Sequence, residues 1–521
     1  MDMHFSQQDG AETEGQTAGR GAFGYLFEDA ARSPDCLLPA CDRTVNGLLD
    51  LGAAMGDPGT RADAEIRTDG TLPAVMTYFA RFIAHDLTAR IDRKAGPTPL
   101  PDGAIPEGAA PDCARDVAAG SVLAPMAPDL LVRRIVNGRR PQFDLASLYG
   151  DGPGLGAALG CPDRIGASSD QLYDGLRLKV RFDRDGRLDL PRHVDGVLAG
   201  RAIVGDGRND GCLNLSQFHA AMLRFNNVVF ESTHGCSTQS RWSQTRRLVR
   251  WAYQYLVVNA FLPAVCDAEV LADVTANGPR FFRPSGGAAA MPLEFALGAL
   301  PFADSMVRPA YTVNDGLTLT LDEAQDPPGR LVGPDHRLKP EAVICWRNYV
   351  DLAEAGIPGP QRARPIGPRL TRGLGGRTDA VRAMTGRAQR RLLQGYLSSL
   401  PTGQAVARRL GLVPMSTEQV AGDDPVLARA VAAGGFADRT PLWFYVLREA
   451  AALSGGRTLG PVGSRLLADV VLGLLRADPN SYLNHQGNRA VTARGIEITS
   501  GLSATTIGSL ADVVRYAGLR R

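Results

Sequence analysis

Five long stretches of this chain repeat apolar residues at helical spacing, and only one alternates as a strand does; no other feature narrows the fold as far. In 72–87, Leu72, Val75, Met76, Phe79, Phe82 and Ile83 form one apolar stripe. Segments 213–233, 243–264, 379–398 and 463–476 carry the same period. The exception is RLKVRFDRDGRLDL, residues 177–190, which alternates on both sides of a turn-like Asp-Gly and predicts a hairpin. With no internal repeat, the pattern predicts a mainly α fold with little β.

Composition excludes several partner classes. A formal charge of +2 over 521 residues gives no footprint for nucleic acid or an anionic membrane. No apolar run approaches the roughly 20 residues of a membrane span. None of the eight cysteines belongs to a CxxC pair, so neither a zinc site nor a disulfide framework is indicated. The polar N-terminal stretch lacks the basic and apolar regions of a signal peptide, and a reducing cytoplasm is the expected setting. Only three of the 57 basic residues are lysines, which with the Ala, Gly and Pro excess points to a GC-rich bacterial genome. Residues 1–22 read as a disordered tail, 95–111 and 357–369 as Gly/Pro-rich loops, and 23–521 as one large domain.

Two stretches carry candidate chemistry. In YFARFIAHDLTAR, Arg81, Ala84, His85 and Thr88 share one helix face, so a cation lies beside an imidazole on a mostly buried helix. Taken alone, such a histidine reads first as a hydrogen-bonded core residue. In GDGRNDGCLNLSQFHAAMLRFNN, Arg208 stands near the start of a long helix.

Together with several later segments, these resemble the animal-type haem peroxidase superfamily. FARFIAHDLT is similar to its distal-histidine motif, GQFxDHDxT, and RRPQFDLASLYG to its calcium loop. The Arg208 segment is similar to GDxRxxE…LHxxFxRxHN, and LEFALGALPFADSMVRPAYTVN to the proximal-histidine segment of bacterial members. The resemblance runs from about 23 to 483 and implies a single, mainly α-helical domain. It places His85 as the distal base and Arg208 as the arginine that polarises peroxide.

The departures gather where haem should sit. The proximal histidine position holds Asp304, the arginine three residues earlier is Pro301, and the adjacent glycine is Ala303. A break is expected at 299–301, because proline inside a helix removes a hydrogen bond. The asparagine that orients the proximal histidine is replaced by Arg391, in RAQRRLLQG. An unpaired carboxylate among Phe302, Ala303, Met306 and Val307 costs several kcal/mol, so Asp304 and Arg391 are expected to form an ion pair in place of haem ligation. Arg81 stands at the distal glutamine position; Ala84 and Gly211 occupy the two acidic positions that form ester links to haem. Of the calcium ligands, Asp86 and Asp144 remain. Arg140 and Ala146 replace oxygen donors, and Arg140 is expected to reach one of the two carboxylates. Both haem and calcium are thereby left in doubt.

Three functions stay open. In the first, the fold has lost haem and classical peroxidase activity, and Arg81, His85 and Arg208 serve a small, acidic or carbonyl-bearing molecule in a bacterial biosynthetic pathway. The second is a haem-dependent oxidoreductase, peroxidase- or dioxygenase-like, with an unusual axial ligand. The third is a non-catalytic partner protein. Substrate and oligomeric state are not legible.

Overall fold

A computed structural model describes residues 21–56, 69–92, 123–150, 152–153, 167–182, 187–234, 237–284, 289–325, 327–352, 359–372, 374 and 386–519. Positions 1–20 of the expected tail and the expected loop 95–111 lie outside these residues. Gly21 and Ala22, read as tail, instead open the strand Gly21–Gly24.

Helices dominate, as the apolar period requires. The stripe at 72–87 becomes the helix Val75–Leu87, and 213–233 becomes Leu213–Ser232. The 243–264 segment becomes Thr238–Leu256, which runs on through a π-helical turn at Val257–Phe261 into Leu262–Val265. Further along lie Arg387–Leu397, Leu442–Ser454 and Pro461–Ala477. Residues 379–385 of the fourth predicted helix lie outside the described residues. The hairpin of 177–190 resolves into two short ladders. Arg181–Phe182 pairs with Leu188–Asp189, while Arg177–Leu178 pairs back onto Tyr173–Asp174. The ladder changes partner at Lys179 and Val180, because Asn227 bonds both backbone groups of Leu178 and fixes it against the Leu213–Ser232 helix.

One small sheet sets the geometry of the later site. Its order is Arg90–Asp92, Ile135–Asn137, Gly21–Gly24, Ala290–Pro292, with the last pairing parallel and the others antiparallel. Arg90–Asp92 follows the Val75–Leu87 helix directly, and Ala290–Pro292 leads into the Asp304 segment, so the sheet ties both by backbone hydrogen bonds. Aromatic packing does the rest. Phe82 meets Phe218 edge-on at 5.3 Å, Phe79 meets Phe261 at 5.8 Å, and Phe261 lies 6.3 Å from Phe302. Buried rings of this size dominate core energetics, and they belong to one contiguous core. Among the described residues, no helix is long and apolar enough to cross a membrane.

The segment around Pro301 stays helical but changes type. A π-helix at Glu294–Ala299 passes directly into a 3₁₀ helix at Leu300–Met306. Pro301 stands in the first turn of the second helix, and having no N–H it cannot carry on the hydrogen bonding of the π turn before it. The predicted break is therefore a change of winding. Glu294, fully buried, anchors the start by accepting the N–H groups of Leu26 (2.8 Å) and Phe27 (3.0 Å). Gly298 lets the π-helix lie against Leu442–Ser454; a Cβ there would stand 2.5 Å from Leu442 Cδ2.

Candidate functional site

Two walls face each other across a cavity of about 40 Å³. Arg81, Ala84, His85 and Arg208 line one wall; Pro301, Ala303, Asp304 and Arg391 line the other. Residues that the sequence places on distal and proximal sides thus share one space. Its charged lining is three guanidiniums against one carboxylate.

On the proximal wall, Asp304 is 3% exposed. Arg391 Nε donates to its Oδ2 at 3.1 Å, which brings together the two residues paired from the sequence. A second cation was missed. Arg387 Nη1 donates to Oδ1 at 2.9 Å, so each carboxylate oxygen carries its own guanidinium. Arg387 and Arg391 are four residues apart on the Arg387–Leu397 helix and share a face. That spacing is legible in RAQRRLLQG and was the signal available.

On the distal wall, Arg208 is braced. Nε donates to Asp206 Oδ1 at 3.0 Å and Nη2 to Oδ2 at 2.7 Å. Nη2 also reaches the carbonyls of His85 (3.1 Å) and Thr88 (2.7 Å). These are carbonyls of the last helical turn and its cap, which lack intrahelical donors, so Arg208 closes the C-terminus of the Val75–Leu87 helix. Arg139 supports the arrangement from behind, 2.6 Å from Asp206 Oδ2. Burial alone would raise the Asp206 carboxyl, but Arg208 and Arg139 outweigh it and hold it well below the usual carboxylate range. His85 is buried, and its Nδ1 lies 2.8 Å from Asn209 Oδ1. Arg81 is half-buried at the cavity edge.

The calcium-loop residues have a different environment. Asp86 Oδ2 accepts from the Leu145 N–H at 3.2 Å and Oδ1 from Ser147 N–H at 3.3 Å; Asp144 Oδ1 accepts from Ala146 N–H at 3.0 Å. Leu145 holds a left-handed backbone (φ 60°) to aim its N–H there. Burial pushes both carboxyls up, Asp86 further through the nearby Asp144. Arg140, expected to enter this cluster, is exposed; the cations whose field acts on Asp144 are Arg246, Arg250 and Arg139. Among the described residues, no group of three or more His, Cys, Asp or Glu side chains is placed to hold a metal ion.

Haem in the family manner needs an imidazole nitrogen beneath the iron. The residue there is a carboxylate with both oxygens bound to guanidiniums. The cavity has room for only a few waters at roughly 10–15 Å³ each, against roughly 300–1,000 Å³ for pockets that enclose larger ligands. The donor set at the proximal wall thus differs from an imidazole: a carboxylate already held by two arginines.

No family model matches the chain, and no curated protein matches it in sequence. Solved structures do share its architecture. Peroxidase A from Dictyostelium discoideum is similar with a TM-score of 0.60 and 16% identity, covering 91% of this chain and 92% of that one. A fatty acid alpha-dioxygenase from Oryza sativa gives a TM-score of 0.52 at 12% identity, over 96% of this chain and 80% of that one. The chain shares the fold of this peroxidase and this dioxygenase.

Proposed function

We propose that this chain is a pseudo-peroxidase: a protein of the haem-peroxidase fold that works without haem and holds a small, acidic or carbonyl-bearing molecule between its two walls. The observation that carries this reading is the double grip on Asp304, one guanidinium on each carboxylate oxygen. Arg81 and Arg391 supply positive charge at the cavity, His85 serves as general acid and base, and Arg208 holds the helix that presents His85. The competing reading, a haem-dependent oxidoreductase with Asp304 as axial ligand, has the retained His85 and Arg208 in its favour. It requires Asp304 to leave two charge-assisted hydrogen bonds, which are about twice as strong as neutral ones. Calcium has no part in the proposal. A cytoplasmic place in a bacterial biosynthetic pathway does, supported by the lysine-poor, Ala/Gly/Pro-rich composition.

Calorimetry with acetate, pyruvate and inorganic phosphate tests the ligand class. Saturable binding of at least one is expected, weakened about tenfold or more by Arg81→Gln, in line with the 1.5–3 kcal/mol of a hydrogen bond to a charged group. Absence of binding by all three, or binding indifferent to Arg81→Gln, would contradict it.

A further inference from the structure

Behind the distal wall a buried chain of three side chains leads away from the cavity. His85 Nδ1 lies 2.8 Å from Asn209 Oδ1, and Asn209 Nδ2 lies 3.0 Å from His219 Nδ1. His85 is 4% exposed, and Asn209 and His219 are fully buried. Burial drives His219 down to about 3, so this ring is neutral and carries one proton.

A primary amide has one accepting edge and one donating edge. Placed between two imidazoles it cannot treat them alike. With Oδ1 toward His85, the His85 proton sits on Nδ1. With Nδ2 toward His219, Nδ1 of that ring must accept, and its proton sits on Nε2. Reversing the amide would reverse both rings together.

The surroundings favour the first arrangement. The cavity beside His85 is lined by the guanidiniums of Arg81, Arg208 and Arg391, which only donate, and by one acceptor, Asp304, whose two oxygens are already held by Arg387 and Arg391. A lone pair on Nε2 suits such walls, whereas an N–H would meet further donors. At the far end, His219 Nε2 has no hydrogen-bond partner among the described residues, and the ring packs edge-on against Phe82 at 5.9 Å.

We infer that Asn209 is a positioning residue: anchored on His219, it fixes His85 with its proton on Nδ1 and so presents an unprotonated Nε2, a ready base, to the cavity. The functional meaning rests on the reading of His85 as acid and base. The tautomers themselves are read in the ligand-free chain, so a failure of ligand binding leaves this test standing.

Long-range ¹H–¹⁵N NMR of the histidine rings decides it. In the unmodified chain His85 should show a protonated Nδ1 and a bare Nε2, favoured by about tenfold, the ratio one neutral hydrogen bond supports, and His219 the reverse. Asn209→Asp, which offers acceptors to both rings, should keep the His85 tautomer and move the His219 proton to Nδ1. Asn209→Leu should let His85 relax to a mixture. The inference is overturned if His85 in the unmodified chain carries its proton on Nε2, or if Asn209→Leu leaves both rings unchanged. Should the leucine variant not fold, the unmodified chain and the aspartate variant still decide between these outcomes.

Discussion

At the scale of single residues, Asp304 organises the proximal wall. Removing one partner of a buried pair strands the other, at a cost of about 3–5 kcal/mol. Asp304→Ala leaves two guanidiniums facing each other and should lower stability by that amount in urea unfolding. Because Arg387 also bonds Asp304, Asp304→Leu with Arg391→Met still leaves one cation without its carboxylate. The triple change that adds Arg387→Met should be the mildest of the three. If the single, double and triple variants lost equal stability, the two bridges would have no energetic coupling to Asp304. The Asp304–Arg391 pair was legible because the sequence resemblance implies that these two positions meet, and they hold opposite charges. Arg387 escaped because the sequence resemblance assigns nothing to its position, although its spacing from Arg391 was visible. Asn209 and His219 were harder to read, since nothing in their order along the chain says that one amide would bridge two imidazoles.

At the scale of elements, long apolar periods were read correctly and short features were not. Leu213–Ser232 and Pro461–Ala477 are long and buried on most of their faces, so their apolar residues recur over many turns. The 177–190 stretch failed because two-residue strands leave too short an alternation to fix their partners. Pro301 predicted a break, but the chain switched from π to 3₁₀ winding, held by Glu294 before it and Asp304 within it. A buried carboxylate elsewhere gives a test in solution. Glu449, 3% exposed, accepts the Val462 N–H at 2.9 Å in the first turn of Pro461–Ala477. Burial raises it from an ordinary 4.5 to about 7, against the pull of the Gly463 and Val462 N–H groups. A raised pKa means that the folded state holds the proton more tightly. The stability it confers is complete below about 4.5 and is lost as pH rises through 7. Between those limits the unmodified chain should lose about 3 kcal/mol more than Glu449→Gln, by urea unfolding at each pH. Parallel profiles would show that Glu449 ionises alike folded and unfolded.

At the scale of the whole molecule, a small sheet and a shared aromatic core hold the two walls at a fixed separation. The strands Arg90–Asp92 and Ala290–Pro292 lie in the same sheet, and Phe79, Phe261 and Phe302 link the distal helix to the Asp304 segment. Neither the sheet nor these aromatic contacts involve Asp304 or Arg391 themselves, and this is why the architecture was legible while the chemistry was not. The most direct test of haem-independence is the absorption spectrum of the purified chain, incubated with one equivalent of haemin and freed of loose haem by gel filtration. We predict no stoichiometric Soret band, and none for Asp304→His, since Arg387 and Arg391 still occupy the proximal wall. A stoichiometric band that survives filtration, and that Asp304→Ala abolishes without loss of stability, would contradict the account and make Asp304 an iron ligand.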